Sequence, residues 1–127
     1  MTPSMHDRVK NMFVDAGLTT GFTVQTLLWT DTGNLATSFM VFRSNGGTPI
    51  RNDLGSEHYI LVDVIGAKGK NSATDTAAQA IIDYVQANPM GDECVGYIQN
   101  IGGKPSPLLS DEGRLVCRLQ FGCTYGE

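Results

Sequence analysis

The sequence predicts an α+β fold in which two helices pack on one face of a mainly antiparallel sheet. Three observations lead to this prediction. Near residues 5–16 and 73–87, apolar side chains recur at the spacing of one helix face. The segment 114–125 places an apolar residue at every second position, as a strand does. Glycines separate the periodic segments, as they do in turns, and the predicted order is α-β-β-β-α-β-β with a long projecting hairpin loop.

The length and composition favour a single domain spanning residues 1–127. The chain is 41% apolar and 17% charged, which is sufficient for a packed core and unlike a disordered protein. Its net charge of −4 argues against a protein that holds nucleic acid by bulk electrostatics. The longest apolar runs are far shorter than the roughly 20 residues of a membrane span, and the first residues do not resemble a secretory signal.

Caps and apolar stripes predict the two helices. We expect Ser4 to cap the first helix and Gly17 to end it. We expect Ser72 to cap the second helix, which covers about 73–87 and ends before Pro89. The residues expected to be buried are Met5, Val9, Met12, Phe13 and Ala16 in the first helix, and Ala73, Ala77, Ala80, Ile81, Tyr84 and Val85 in the second.

Two strands are predicted between the first helix and a long polar connection. Segments 22–29 and 36–42 are rich in β-branched and aromatic residues, and the turn residues 31–34 between them predict a hairpin. The connection 43–55 has the length at which loops are often functional. It is either an unstructured hairpin tip or an arm that becomes ordered against a neighbouring protein.

On the second interpretation, the arm supplies the subunit or partner interface. The residues expected there are Arg43, Asn45, Gly46, Gly47, Arg51 and Asp53. Replacing both arginines with glutamate is then expected to impair assembly and to leave the fold intact.

Three further strands complete the predicted sheet. Segment 57–65 is apolar on both faces except at Asp63, which predicts a central strand, or a strand with a helix on one side and a partner on the other. Segments 94–101 and 114–125 follow the second helix. Because a buried carboxylate requires a partner, Arg118 on the polar face of the last strand is the candidate ion-pair partner of Asp63.

No pattern in the sequence indicates catalysis or a cofactor. The turn 66–72 lies where a phosphate-binding loop would lie, but its glycine and lysine spacing does not match that motif. His6 and His58 lack neighbours at metal-ligand spacing. Cys117 and Cys123 are expected on one strand, about 20 Å apart, which is too far for a disulfide. We therefore expect the cysteines, Cys94 included, to be reduced.

Residues 39–50, continued by 57–65, resemble the tail-terminator group of minor tail proteins from long-tailed bacteriophages and prophages. The order of elements is also similar, from the first helix to Tyr125. The resemblance implies a structural protein with no enzymatic activity and no cofactor. It implies a homo-hexameric ring that caps the tail tube, stops its polymerisation and offers the head-joining surface.

The implied partners are other copies of the chain, the major tail tube protein and the head completion protein. No membrane and no sequence-specific nucleic acid are expected, although DNA passes through such a ring. The implied location is the virion tail, assembled in the host cytoplasm. Two alternatives remain open: a head–tail connector protein, and a small ligand-binding α+β module that uses Asp63, His58 and the turn 68–72.

Overall fold

The computed structural model describes residues 4–27, 36–47, 57–90, 95–104, 106–110 and 113–125. Within these ranges it confirms the predicted α+β fold, with two helices on one face of a mostly antiparallel sheet. The elements are α1 (Met5–Asp15), β1 (Thr23–Thr26), β2 (Phe39–Gly47), β3 (His58–Ile65), α2 (Asn71–Ala87), β4 (Val95–Ile101), β5 (Leu108–Leu109) and β6 (Leu115–Tyr125). The two-residue strand β5, which the sequence analysis did not predict, lies in the connection between the last two predicted strands.

The strand order in the sheet is β1-β2-β3-β6-β4, and β5 pairs with one end of β6. Strand β3 therefore lies between β2 and β6, which confirms the central position predicted from its two apolar faces. Both of its pairings are antiparallel, and they place Asp63 opposite Val41 on one side and opposite Arg118 on the other. This register determines the site described below.

The predicted hairpin between the first two strands is wrong. Strand β1 pairs with β2 in parallel, with Thr23 opposite Phe39 and Thr26 opposite Phe42. Parallel neighbours need a crossover connection rather than a tight turn. Alternation of side chains predicts a strand and its faces but not its direction, so the sequence could not separate the two arrangements. The predicted turn at 31–34 lies outside the described residues.

Strand β2 also extends further than predicted, to Gly47, so Arg43 lies within the sheet rather than in a loop. Its pairing with β3 continues through Arg43 and Ser44 before a register shift that precedes Gly47. A strand accepts polar residues wherever the sheet gives them hydrogen-bond partners or contact with solvent. The polar composition of the end of β2 therefore resembled that of a loop, although this segment is a strand. The predicted loop beyond Gly47 lies outside the described residues.

The core lies between the helices and one face of the sheet. Phe13 of α1 makes edge-on ring contacts with Phe42 of β2 and Phe121 of β6, at centroid distances of 5.6 and 5.9 Å. The predicted α1 stripe is buried except for Ala16, which is the exposed C-cap. Gly17 follows with a φ of 78°, the left-handed conformation expected where a helix ends.

The start and the buried face of α2 differ from the prediction. The helix begins at Asn71, with Lys70 as its N-cap, so Ser72 lies inside the helix rather than capping it. Ser4 is the N-cap of α1, as predicted, although its side chain makes no capping hydrogen bond. The buried residues of α2 are Thr74, Ala78, Ile81, Ile82 and Val85, whereas Ala73 and Ala80 are exposed. Alanine occurs on both faces of this helix, so it was a poor marker of the buried face.

Cys117 and Cys123 are free thiols buried on the helix-facing side of β6, as predicted for reduced core cysteines, and Cys94 lies outside the described residues. Burial raises the pKa of the Cys117 thiol. Burial, with a smaller contribution from the charge of Glu57, raises the pKa of Cys123 from 9.0 to about 12. Because the thiolate is the nucleophile, both groups should react slowly in the folded protein.

We expect iodoacetamide at pH 8 to leave Cys117 and Cys123 unmodified in the folded protein and to alkylate both after unfolding, as measured by residue-resolved mass spectrometry. Rapid labelling of Cys123 in the folded chain would contradict its burial.

Between pH 9 and about 12 the unfolded Cys123 loses its proton while the folded one retains it. The contribution of this thiol to stability is therefore complete below pH 9 and is lost as the pH rises towards 12.

Candidate subunit interface

The sheet has a second face, pointing away from the helices, which we call the distal face. It is formed by the side chains that alternate with the core residues on the three central strands. In register these are Phe39, Val41 and Arg43 on β2, Leu61, Asp63 and Ile65 on β3, and Val116, Arg118 and Gln120 on β6. One end is apolar, with Phe39, Val41 and Ile65 buried against Val116. The polar residues follow towards the other end.

An ion cluster occupies the middle of the distal face. Asp63 accepts a hydrogen bond from Arg118 Nε at 3.0 Å and one from Arg43 Nη2 at 2.5 Å. The carboxylate side chain is only 5% exposed, whereas those of Arg43 and Arg118 are 25% and 53% exposed. Two guanidinium groups around one carboxylate leave the cluster with a net charge of +1.

The structure confirms Arg118 as the predicted partner of Asp63, because the two residues are direct cross-strand neighbours. The sequence analysis missed Arg43, since it assigned this residue to a loop. The expectation that glutamate at both Arg43 and Arg51 leaves the fold intact is therefore revised because of Arg43. Glutamate at this position would place a second carboxylate beside the buried Asp63 and would remove one of its two partners.

A surface cleft of about 340 Å³ lies beside the ion cluster, and we call it the Arg–Leu cleft. Its polar wall is the ion cluster, and its apolar wall is formed by Ile65 and Val116 together with Leu108 and Leu109 of β5. Leu108 and Leu109 are 62% and 66% exposed. Leu108 pairs with Val116 and so lies on the distal face, where it adds exposed apolar surface beside the ion cluster; an apolar area rimmed by polar groups is a feature of many protein interaction sites.

The connection between β5 and β6 is fastened to the body of the protein. Ser110 and Arg114 are linked by two hydrogen bonds, from Ser110 N to the Arg114 carbonyl and from Arg114 N to Ser110 Oγ. The fully buried Arg114 side chain donates to the carbonyls of Thr37 and Gly66, and its guanidinium lies 5.4 Å from the ring centroid of Phe39. The exposed leucines are thus held on an anchored element, and the wall of the cleft is preformed.

The residues predicted for an interface are only partly placed by the structure. Arg43, Asn45, Gly46 and Gly47 all lie in β2, and Gly46 has a φ of 79° near the register shift. Of these four, Arg43 lines the Arg–Leu cleft. Arg51 and Asp53 lie outside the described residues. A role for all six in contacts between proteins stays a prediction.

Asp63 and His58, which the ligand-binding alternative would use together, do not converge. Asp63 and His58 are separated by an odd number of positions on β3, so their side chains emerge on opposite faces of the sheet. His6 Nδ1 lies 3.2 Å from Ser44 Oγ, and its Nε2 lies 3.7 Å from the Asp7 carboxylate. In the described ranges, no group of three or more potential ligands is placed to hold a metal ion. This geometry disfavours the ligand-binding alternative based on Asp63 and His58.

No helix in the described part of the chain is long and apolar enough to cross a membrane. Residues 2–127 match a family described as phage tail termination protein. No curated protein matches the sequence. One similar solved structure has a TM-score of 0.55 and 12% sequence identity, and the match covers 97% of this chain and 96% of that chain. At this identity the similarity supports the fold alone.

Proposed function

We propose a function from the premise that this chain belongs to the phage tail termination protein family. Membership gives it a role in phage tail assembly and makes it a component of the virion tail. The finer role that we infer is that copies of the chain form a ring on the end of the tail tube, stop its polymerisation and provide the surface to which the head joins. The family match over residues 2–127 is the observation that carries this proposal.

A ring of identical copies requires head-to-tail contacts between two different patches, closed by rotation. The fold supports such an arrangement, because among the described strands β1, β4 and the short β5 lie at the edges of the sheet, and edge strands readily take partners. We propose six copies, each with a single domain over residues 1–127, and the major tail tube protein and the head completion protein as neighbours. The ring acts through contacts of complementary shape between its copies and with the end of the tube, and it needs neither a cofactor nor a catalytic step.

The charge of the chain is consistent with a conduit for DNA. With 13 acidic against 9 basic residues, the protein lacks the excess of cations that retains nucleic acid. In this proposal DNA passes through the ring during transfer and does not adhere to it. Assembly of the ring on the tube takes place in the host cytoplasm, before the head joins.

The proposal is tested with purified 13.7 kDa protein and purified tail tubes. Size-exclusion chromatography with light scattering should give the mass of six copies, either for the free protein or after its release from tubes. Shearing a fixed mass of tubes creates more ends, and bound protein should increase in proportion to the number of ends. A protein that stays monomeric and binds no tube ends would refute the proposal. Binding to the head completion protein alone would instead favour the connector function.

A further inference from the structure

We infer that the Arg–Leu cleft is the receiving side of the contact between neighbouring copies, and that it is occupied by a segment of a second copy of this chain. The segment would place an apolar side chain against the leucines and a carboxylate against Arg118. The inference rests on the proposed ring and adds the surface by which one copy holds the next.

The apolar part of the argument concerns β5. Leu108 and Leu109 remain more than half exposed, although the hydrogen bonds of Ser110 and Arg114 anchor their segment. Burial of these leucines against another molecule contributes favourable free energy to binding. Because their segment is already anchored, little conformational entropy is lost when they bind. The cleft volume of about 340 Å³ is ample for side chains from a partner, since a cavity of about 150 Å³ can already hold benzene.

The charged part of the argument concerns Arg118. Its Nε atom donates to Asp63, and within the described ranges its two terminal nitrogens have no hydrogen-bond acceptor. The guanidinium is half exposed at the rim of the cleft, in a cluster with a net charge of +1. A carboxylate is the group that these two nitrogens would bind best, because the flat guanidinium matches its two oxygens.

Charge complementarity favours a second copy of the chain as the occupant. The described lining of the cleft carries a charge of +1, whereas the whole chain carries −4, so the remaining residues of the same molecule have a surplus of carboxylates. A two-fold contact of cleft against cleft would bring Arg118 towards its own equivalent. A head-to-tail contact instead sets the cleft against a different, acidic patch, which is the type of contact that a closed ring repeats.

The test places a photoreactive benzoylphenylalanine at Leu108 of the full-length chain, which pairs with Val116 on the distal face, with Met90 as the matched control. Met90 is 71% exposed and does not line the cleft. Irradiation of the protein bound to tail tubes should produce a ladder of covalent self-adducts from position 108 and none from position 90. Adducts with a different protein, or no adduct from a protein that still caps tubes, would overturn the inference.

A second variant measures the energy of the contact without disturbing the ion cluster. Leu108→Ser/Leu109→Ser should weaken self-association at least tenfold and leave the thermal melting temperature of the monomer unchanged, whereas Met90→Ser should change neither. Unchanged self-association of the double variant would overturn the inference and leave the proposed function intact. Absence of tube capping by the wild-type protein would instead refute the proposed function.

Discussion

Replacing Phe13 with alanine is expected to lower the free energy of unfolding by about 3–5 kcal/mol, the range measured for large-to-small changes of buried aromatic residues. The ring is fully buried and contacts Phe42 and Phe121. It therefore joins α1 to two strands, and its removal leaves a cavity between them. Chemical denaturation followed by circular dichroism measures the effect.

Two further variants control this measurement. Val14→Ala changes the adjacent residue of the same helix, which is 45% exposed, and should alter stability by no more than about 0.5 kcal/mol. Phe13→Leu keeps most of the apolar volume and should give an intermediate loss. Equal stabilities of Phe13→Ala and the wild-type protein would show that α1 is not packed on the sheet as described.

Replacing Asp63 with alanine is expected to cost about 3 kcal/mol, because removing one member of a buried ion pair leaves the other charges uncompensated. Here Arg43 and Arg118 lose their shared carboxylate together. Removing one partner of a buried ion pair costs about 3–5 kcal/mol. We expect the lower end of this range, because both arginines are partly exposed and solvent can hydrate them. Urea denaturation at neutral pH measures it.

Asp83→Ala is the matched control, since Asp83 lies on the exposed face of α2 and hydrogen-bonds only to Gln79 among described residues. It should change stability by less than about 0.5 kcal/mol. In a double-mutant cycle, Arg118→Ala should cost much less when Asp63 is already alanine. Independent, additive effects of the two substitutions would contradict the ion pair.

The parts of the fold that the sequence predicted depend on side-chain periodicity. In β6, apolar residues at every second position predicted both the strand and the face that packs on the helices. In β3, apolar residues on both faces predicted a central strand. Periodicity contains no information about strand direction, so the parallel pairing of β1 was missed. It also fails where a strand is polar, which is why the end of β2 was placed too early.

The candidate site was predictable in one of its two parts. Asp63 in an apolar strand required a partner, and Arg118 in the polar row of β6 was identified as that partner. The leucine wall was not identified, because Leu108 and Leu109 form a two-residue strand next to Pro107, too short to show a period. The anchoring role of Arg114 was also missed, since its acceptors, the carbonyls of Thr37 and Gly66, are distant in sequence.

Electron microscopy of phage particles produced without this protein tests the central claim most directly. The account predicts tail tubes that continue beyond their normal length and carry no heads, and it predicts that supplying the wild-type protein restores tails of uniform length. Tails of normal length joined to heads in the absence of the protein would contradict it.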